Sequence, residues 1–123
     1  MANEIQVSLS ITGKNGSFEH RFQPSALSIS QTTPYGSGGG QVLNGTSPET
    51  LVITDVSAAG MFYCRNLSTS VTVQIGRASG TNFTALASLL PGEYMFSRLA
   101  VTNPSAACTT TNTAAVNYFM FDA

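Results

Sequence analysis

Charged side chains are scarce in this sequence, at 9% of its 123 residues, whereas ordinary globular proteins carry about 25%. The formal net charge is only -1. A phosphate backbone is bound by clustered positive charge, but the five basic residues stand singly along the chain, at Lys14, Arg21, Arg65, Arg77 and Arg98. The sequence therefore argues against nucleic acid as a partner.

Residues that perform chemistry are equally few. His20 is the one histidine, and tryptophan is absent. Metal sites and activated nucleophiles usually need a second imidazole or a Cys-x-x-Cys, Gly-x-Ser-x-Gly or His-Glu-x-x-His pattern, and none of these occurs. A converging pair among the six acidic residues stays open, because only the folded chain can show it. We expect no catalytic, cofactor-binding or metal-binding residue, and no enzymatic activity.

Long apolar runs are missing as well. A helix that spans a bilayer needs about 20 apolar residues, and no stretch approaches that length. Residues 1–12 lack the basic region and apolar run of a secretory signal. We expect a soluble protein that is made in the cytosol and has no membrane partner. Cys64 and Cys108 are then expected to be buried free thiols, with a single bridge between them as the alternative.

Hydroxyl side chains fill the positions that charges leave, since Ser and Thr occupy 30 of the 123 positions. Burying a hydroxyl against a neighbour costs far less than burying a charge. A neutral, hydroxyl-rich surface therefore favours a subunit of a permanent assembly over a freely diffusing monomer. The chain length fits one domain over residues 1–123 with a single core.

Apolar and polar residues alternate along much of the chain, which is the pattern of strands with one buried face. Residues 5–11 read IQVSLSI and predict a first strand, and 14–16 predict a tight turn into a returning strand at 18–22. Further short runs follow between turn signals, about every eight to twelve residues. The pattern predicts an all-β fold, a single-domain β-sandwich or jelly-roll of about eight short antiparallel strands. Residues 82–90 are the best helical alternative.

Two segments are predicted to be loops. Residues 33–40 read TPYGSGGG, and this density of glycine favours a mobile loop or arm. Such an arm could order on a neighbouring subunit, or it could be a plain exposed hairpin tip. An extended loop is predicted at 103–115, where small residues dominate. The tyrosines and phenylalanines are expected to pack in the core rather than to form a binding platform.

Two blocks of the sequence carry a family likeness. The first covers residues 46–76 and contains the Asn66-Leu67 step and the run Val73-Gln74-Ile75-Gly76. The second covers residues 83–99 and contains Leu89-Leu90-Pro91-Gly92-Glu93, a turn into a strand that carries Arg98. Together with a closing strand at 116–121, these blocks resemble small structural proteins encoded beside the head genes of tailed bacteriophages.

The resemblance implies a virion protein that is made in the cytoplasm of the bacterial host and that decorates or cements the outside of the capsid shell. Its partner would be the major capsid protein of the same particle, and it would be a homo-oligomer, with a trimer favoured. A neck or tail component and a glycan-binding module for host attachment are the alternatives. The expected interface residues lie on the first strand, in the glycine-rich loop and at three arginines: Ile5, Val7, Tyr35, Gly36, Gly38, Gly39, Gly40, Arg65, Arg77 and Arg98.

Overall fold

A computed structural model describes residues 5–31, 36–54 and 56–122. These residues form twelve strands in four antiparallel sheets and no helix, which confirms the all-β class. The chain divides into two compact units, Met1–Thr32 and Thr33–Ala123. The prediction of one domain over residues 1–123 stays a prediction.

The first unit contains two small antiparallel sheets. β1 (Ile5–Val7) pairs with β4 (Leu27–Ile29), and β2 (Ile11–Asn15) pairs with β3 (Phe18–Phe22). The single strand predicted over residues 5–11 is therefore wrong, because its two ends pair with different partners. The hairpin turn is confirmed, but its centre is Gly16-Ser17, with Gly16 at a φ of 60°. Glycine first with positive φ is typical of a type II′ turn.

The second unit contains two four-stranded sheets. Their strands are β5 (Gly36–Asn44), β6 (Glu49–Thr50), β7 (Met61–Asn66), β8 (Val73–Ser79), β9 (Asn82–Leu89), β10 (Tyr94–Arg98), β11 (Ser105–Cys108) and β12 (Thr113–Phe121). The first sheet has the order β10-β7-β12-β5 and the second β6-β11-β8-β9. The sequence predicts about eight strands for the whole chain, whereas the described residues form twelve, eight of them in this unit.

One cluster of buried side chains joins the two sheets. Phe62 on β7 and Val116 on β12 are fully buried, as is Val73 on β8 of the other sheet. They belong to alternating positions, so every second side chain of these strands enters the core. Each such residue contributes about 1.5–3 kcal/mol by leaving water. The alternation in the sequence is therefore the signal of a sandwich core, and the helical alternative at 82–90 is wrong because Asn82–Leu89 is strand β9.

Both loop predictions need correction. Residues 36–40, predicted to be mobile, begin β5 and pair with β12. A Cβ at Gly36 would lie 2.6 Å from Cε1 of Phe119, and one at Gly38 would lie 2.7 Å from the Cα of Phe119. These glycines serve close packing rather than mobility. Within the predicted loop 103–115, Ser105–Cys108 is the buried strand β11 and residues 113–115 begin β12. The small side chains of Ala106 and Cys108 fit into the core between the sheets.

Candidate docking surfaces

The β2–β3 hairpin exposes an apolar face. Its register places Ile11 opposite Phe22 and Asn15 opposite Phe18, with Gly13 and His20 between them on the same side. Ile11 and Phe22 are each 50% exposed, and Phe18 is 64% exposed. Three large apolar side chains therefore meet solvent within a strand pair of five residues each, which is the arrangement of a surface that a partner covers.

The other face of the hairpin is polar. Lys14 lies directly opposite Glu19, and Thr12 lies opposite Arg21. Opposite charges at facing positions stabilise a strand pair by only about 0.2–1 kcal/mol. A two-stranded hairpin is only marginally stable on its own in water. This marginal stability is a second reason, beside the exposed apolar face, to expect a partner for this hairpin.

A row of aromatic side chains crosses the outer face of the first sheet of the second unit. Phe96, Tyr63 and Phe119 lie side by side on β10, β7 and β12. Tyr63 also lies 6.1 Å from Tyr94, centroid to centroid. Tyr94 is exposed, and the rings of Phe119 and Phe121 are 4.8 Å apart. The prediction that the aromatic residues pack in the core is therefore wrong for this row, because β-strand alternation sends these side chains to the opposite face from Phe62 and Tyr118.

A second row of residues, next to the aromatic row on the same face, contains two of the expected interface residues. Tyr94, Arg65, Asn117 and Gly40 follow one another across the four strands. Arg65 is exposed, and its Nε donates a hydrogen bond to the carbonyl oxygen of Gly92 at 3.2 Å. This arginine therefore supports the turn beside it while leaving its side chain on the surface.

The Asn-Leu step at Asn66-Leu67 and the Pro-Gly-Glu turn at residues 91–93 meet at one buried residue. Asn66 is fully buried, and its Nδ2 donates to the carbonyl oxygens of Val71 at 2.7 Å and Leu89 at 3.0 Å. Its backbone N–H donates to the Glu93 carbonyl, and its own carbonyl accepts from the Gly92 N–H. The Asn-Leu step and the Pro-Gly-Glu turn are thus two sides of a single joint that holds the end of β7 to the loop before β10.

A groove of about 790 Å³ opens where β9 and β10 border the two sheets. Arg77 on β8 and Arg98 on β10 line it, together with the exposed Leu86 and the segment that follows β10. Arg98 has a polar or electrostatic partner of its own. The groove therefore brings together two of the three expected arginines, while Arg65 lies elsewhere on the outer face.

The thiols of the second unit are not poised for chemistry. Cys64 and Cys108 are buried and free, as the sequence predicts. Burial raises the pKa of the Cys64 thiol from 9.0 to about 12, and it also raises the pKa of Cys108. A thiol is nucleophilic as its thiolate, so both cysteines are packing residues at neutral pH. Across the described ranges, no group of three or more His, Cys, Asp or Glu side chains converges as a metal site would require.

The remaining expected interface residues are dispersed. Ile5 is buried and Val7 half-buried in the β1–β4 pair, so neither offers a free docking surface. Gly36 and Gly38 pack against Phe119, and Gly39 and Gly40 are exposed on the same strand. Tyr35 lies outside the described residues.

Sequence reasoning missed the hairpin face of Ile11, Phe18 and Phe22. The signal was present, since a two-residue turn at Gly16-Ser17 fixes the pairing of Ile11 with Phe22. The turn predicted at residues 14–16 hides this, because it would pair Ile11 with Glu19 rather than with Phe22.

Comparisons with protein-family models, with curated proteins and with solved structures found no match to this chain. Among the described residues, no helix is long and apolar enough to cross a membrane. The case for a function therefore depends on the surfaces described above and on the resemblance noted in the sequence.

Proposed function

We propose that this chain is a non-enzymatic structural protein of a tailed-bacteriophage particle, a decoration or cement protein on the outside of the head. The observation that carries the proposal is the exposed apolar face of the β2–β3 hairpin, formed by Ile11, Phe18 and Phe22. Its partner would be the major capsid protein, and the particle would be its location.

The character of the chain fits such a role. Its second unit has a single packed core and a buried joint at Asn66 whose side-chain amide and carbonyl both have partners. Such a joint resists deformation because the polar groups of the Asn66 side chain are satisfied internally. Its low charge leaves little repulsion between many copies crowded on one shell. A contact that is weak in one copy stabilises a shell when many copies make it together.

Docking through an apolar face predicts binding that salt weakens little. Burying Phe18 alone contributes about 2 kcal/mol, or about 30-fold in affinity. Phe18→Asp should therefore reduce binding to purified shells that lack this protein by at least about 30-fold, and the wild-type chain should still bind at about 0.5 M NaCl. Val52→Asp is the matched control, because Val52 is as exposed as Phe18 but lies in the second unit and outside the groove.

The binding is measured by cosedimentation with shells, and the position by electron microscopy of the intact particle. Density at many equivalent positions outside the head supports the proposal. Density at one vertex or along the tail moves the chain to the neck or tail. Equal binding of Phe18→Asp and wild type removes the hairpin from the contact.

The resemblance also implies a homo-oligomer, with a trimer favoured, and this state belongs to the same proposal. Sedimentation equilibrium of the purified chain measures it directly. A trimer supports docking at a three-fold axis of the shell.

A glycan-binding module is the second candidate, and the outer aromatic row favours it. Tyr94 is exposed beside Tyr63, and Arg65 and Asn117 lie in the adjoining row with polar groups that a sugar could contact. On a glycan array, a saturable signal that Tyr94→Ala abolishes and Leu90→Ala leaves unchanged would support this candidate. Leu90 is a suitable control because it is similarly exposed.

A further inference from the structure

The outer edge of β3 is open within the described part of the first unit. β3 pairs with β2 on one side, and their sheet has only these two strands. All five residues of β3 are exposed. An exposed edge offers a row of backbone donors and acceptors to another strand, so the edge itself is a candidate interface.

The sequence of β3 is symmetric about His20. It reads Phe-Glu-His-Arg-Phe, so phenylalanine stands at both ends and opposite charges flank the centre. If two such strands run antiparallel about a two-fold axis at His20, Phe18 faces Phe22 of the second copy. Glu19 then faces Arg21 of the second copy. Apolar meets apolar at positions 18 and 22, negative meets positive at positions 19 and 21, and His20 meets its own copy, which is the self-complementarity that a two-fold interface requires.

We propose that β3 pairs antiparallel with β3 of a second copy of this chain, about a two-fold axis at His20. The result is a four-stranded sheet of two hairpins. On its polar face, Glu19 lies between Lys14 of its own hairpin and Arg21 of the other copy, so positive and negative charges alternate across the strands. On its apolar face, Phe18 of each copy lies beside Phe22 of the other copy, which gives two phenylalanine pairs. Ile11 of each copy lies beside its own Phe22 and extends the row.

The phase of the hydrogen bonds agrees with this register. A two-residue hairpin closes on a hydrogen-bonded pair, here Asn15 and Phe18, and such pairs alternate along an antiparallel ladder. Phe18, His20 and Phe22 therefore direct their backbone groups toward β2. Glu19 and Arg21 direct theirs toward the open edge, where the proposed register makes them the hydrogen-bonded pair.

The edge of β2 lacks these properties. The same symmetric pairing of β2, centred on Gly13, would place Ile11 opposite Asn15 and Thr12 opposite Lys14. It joins apolar to polar residues and gains no pair of opposite charges. The charge pattern thus selects β3 over β2.

This pairing does not rest on the proposed function, because it concerns the free chain. By itself it forms a dimer, and a trimer would need a different surface. It would double the apolar face available to a larger partner. A monomeric chain that still binds shells would overturn the pairing alone, whereas a dimer that binds no shell would overturn the proposed function alone.

Disulfide trapping of the full chain tests the register. In the proposed dimer the two residues at position 20 form a non-hydrogen-bonded pair with Cα atoms about 4.5 Å apart, which suits a disulfide. The two residues at position 21 are diagonal, at about 7–8 Å, which is too far for one. His20→Cys should therefore form a covalent dimer under mild oxidation at least about tenfold faster than Arg21→Cys. Wild type controls for the buried native thiols.

A mixture of Glu19→Cys and Arg21→Cys should also form a disulfide, because those positions face each other. Folding of each variant is checked by circular dichroism. Equal trapping of His20→Cys and Arg21→Cys, or no trapping of a folded His20→Cys, overturns the proposal.

Charge reversal gives an independent test by sedimentation equilibrium. Glu19→Arg and Arg21→Glu should each weaken dimerisation by about 30-fold, because two symmetric attractions become repulsions. A one-to-one mixture should restore it, since arginines of one variant then face glutamates of the other. A mixture no tighter than either variant alone, or variants that dimerise like wild type, overturns the proposed pairing.

Discussion

Replacing Asn66 with alanine should weaken the second unit more than any other polar substitution in it. The side chain is fully buried, and its amide donates to the carbonyl oxygens of Val71 and Leu89. Its Oδ1 accepts the backbone N–H of Ser68 at 3.0 Å. Alanine removes all three hydrogen bonds and leaves their backbone partners without that side chain. At about 1 kcal/mol for each hydrogen bond, the free energy of unfolding should fall by about 3 kcal/mol.

Asn66→Asp removes the hydrogen-bond donor while keeping the volume of the side chain, so it shows how much of the stability depends on the hydrogen bonds. The carboxylate has nearly the shape of the amide but no donor, so it would face two carbonyl oxygens with a buried negative charge. We expect a loss at least as large as that of alanine. Asn117→Ala is the matched control, because Asn117 is exposed on β12, and it should change stability by less than about 0.5 kcal/mol.

The assay is urea unfolding followed by tyrosine fluorescence. The chain has no tryptophan, and its four tyrosines all lie within Thr33–Ala123, so the signal reports the second unit. The midpoint should move while the slope against urea stays constant. A loss below about 1 kcal/mol for Asn66→Ala, or equal stability of Asn66→Asp and wild type, would refute the role given to this joint.

Two further predictions concern the sandwich itself. Gly38→Ala should destabilise it by more than about 2 kcal/mol, because the new Cβ would meet the Tyr118 carbonyl and the Phe119 backbone, whereas Gly39→Ala has open space and should be tolerated; urea unfolding compares them. Cys64 should be inert to thiol reagents in the folded chain at pH 8 and react on unfolding. Its pKa is raised from 9.0 to about 12, so its contribution to stability is complete below pH 9. Between pH 9 and about pH 12 the free energy of unfolding should fall by about 1 kcal/mol per pH unit, because the unfolded chain loses the Cys64 proton there while the folded chain keeps it. Cys64→Ala should reduce this slope.

The fold class could be predicted because strand alternation is a local property. Tyr63 lies between Phe62 and Cys64 in the sequence. The structure places Tyr63 on one face of β7 and the other two residues on the opposite face. Turns could be predicted for the same reason, since a glycine with positive φ is needed at Gly45, Gly80 and Gly92 whatever lies around it. These features depend on a few neighbouring residues only.

The errors arose where the meaning of a residue depends on a distant strand. Glycine permits mobility and also permits close approach, and only the position of Phe119 decides between these uses at Gly36 and Gly38. The small residues of Ser105–Cys108 resemble a loop until their pairing with β6 and β8 places them in the middle of the second sheet. The docking face was missed likewise, because Ile11 and Phe22 become neighbours only through the register of the hairpin.

The Asn-Leu step and the Pro-Gly-Glu turn lie in the second unit, outside the candidate docking hairpin. They are joined by the buried backbone and side chain of Asn66, and the Leu90 N–H donates to the Glu93 carboxylate at 2.7 Å to complete the turn. A buried joint of this kind specifies a fold rather than a partner. The hairpin face lies outside both blocks. Phe18→Asp should therefore weaken shell binding by at least about 30-fold without moving the tyrosine-detected unfolding midpoint, whereas Asn66→Ala should move that midpoint. A Phe18→Asp variant that lowers the midpoint as much as Asn66→Ala would show that Phe18 contributes to stability and would contradict its assignment to a docking surface.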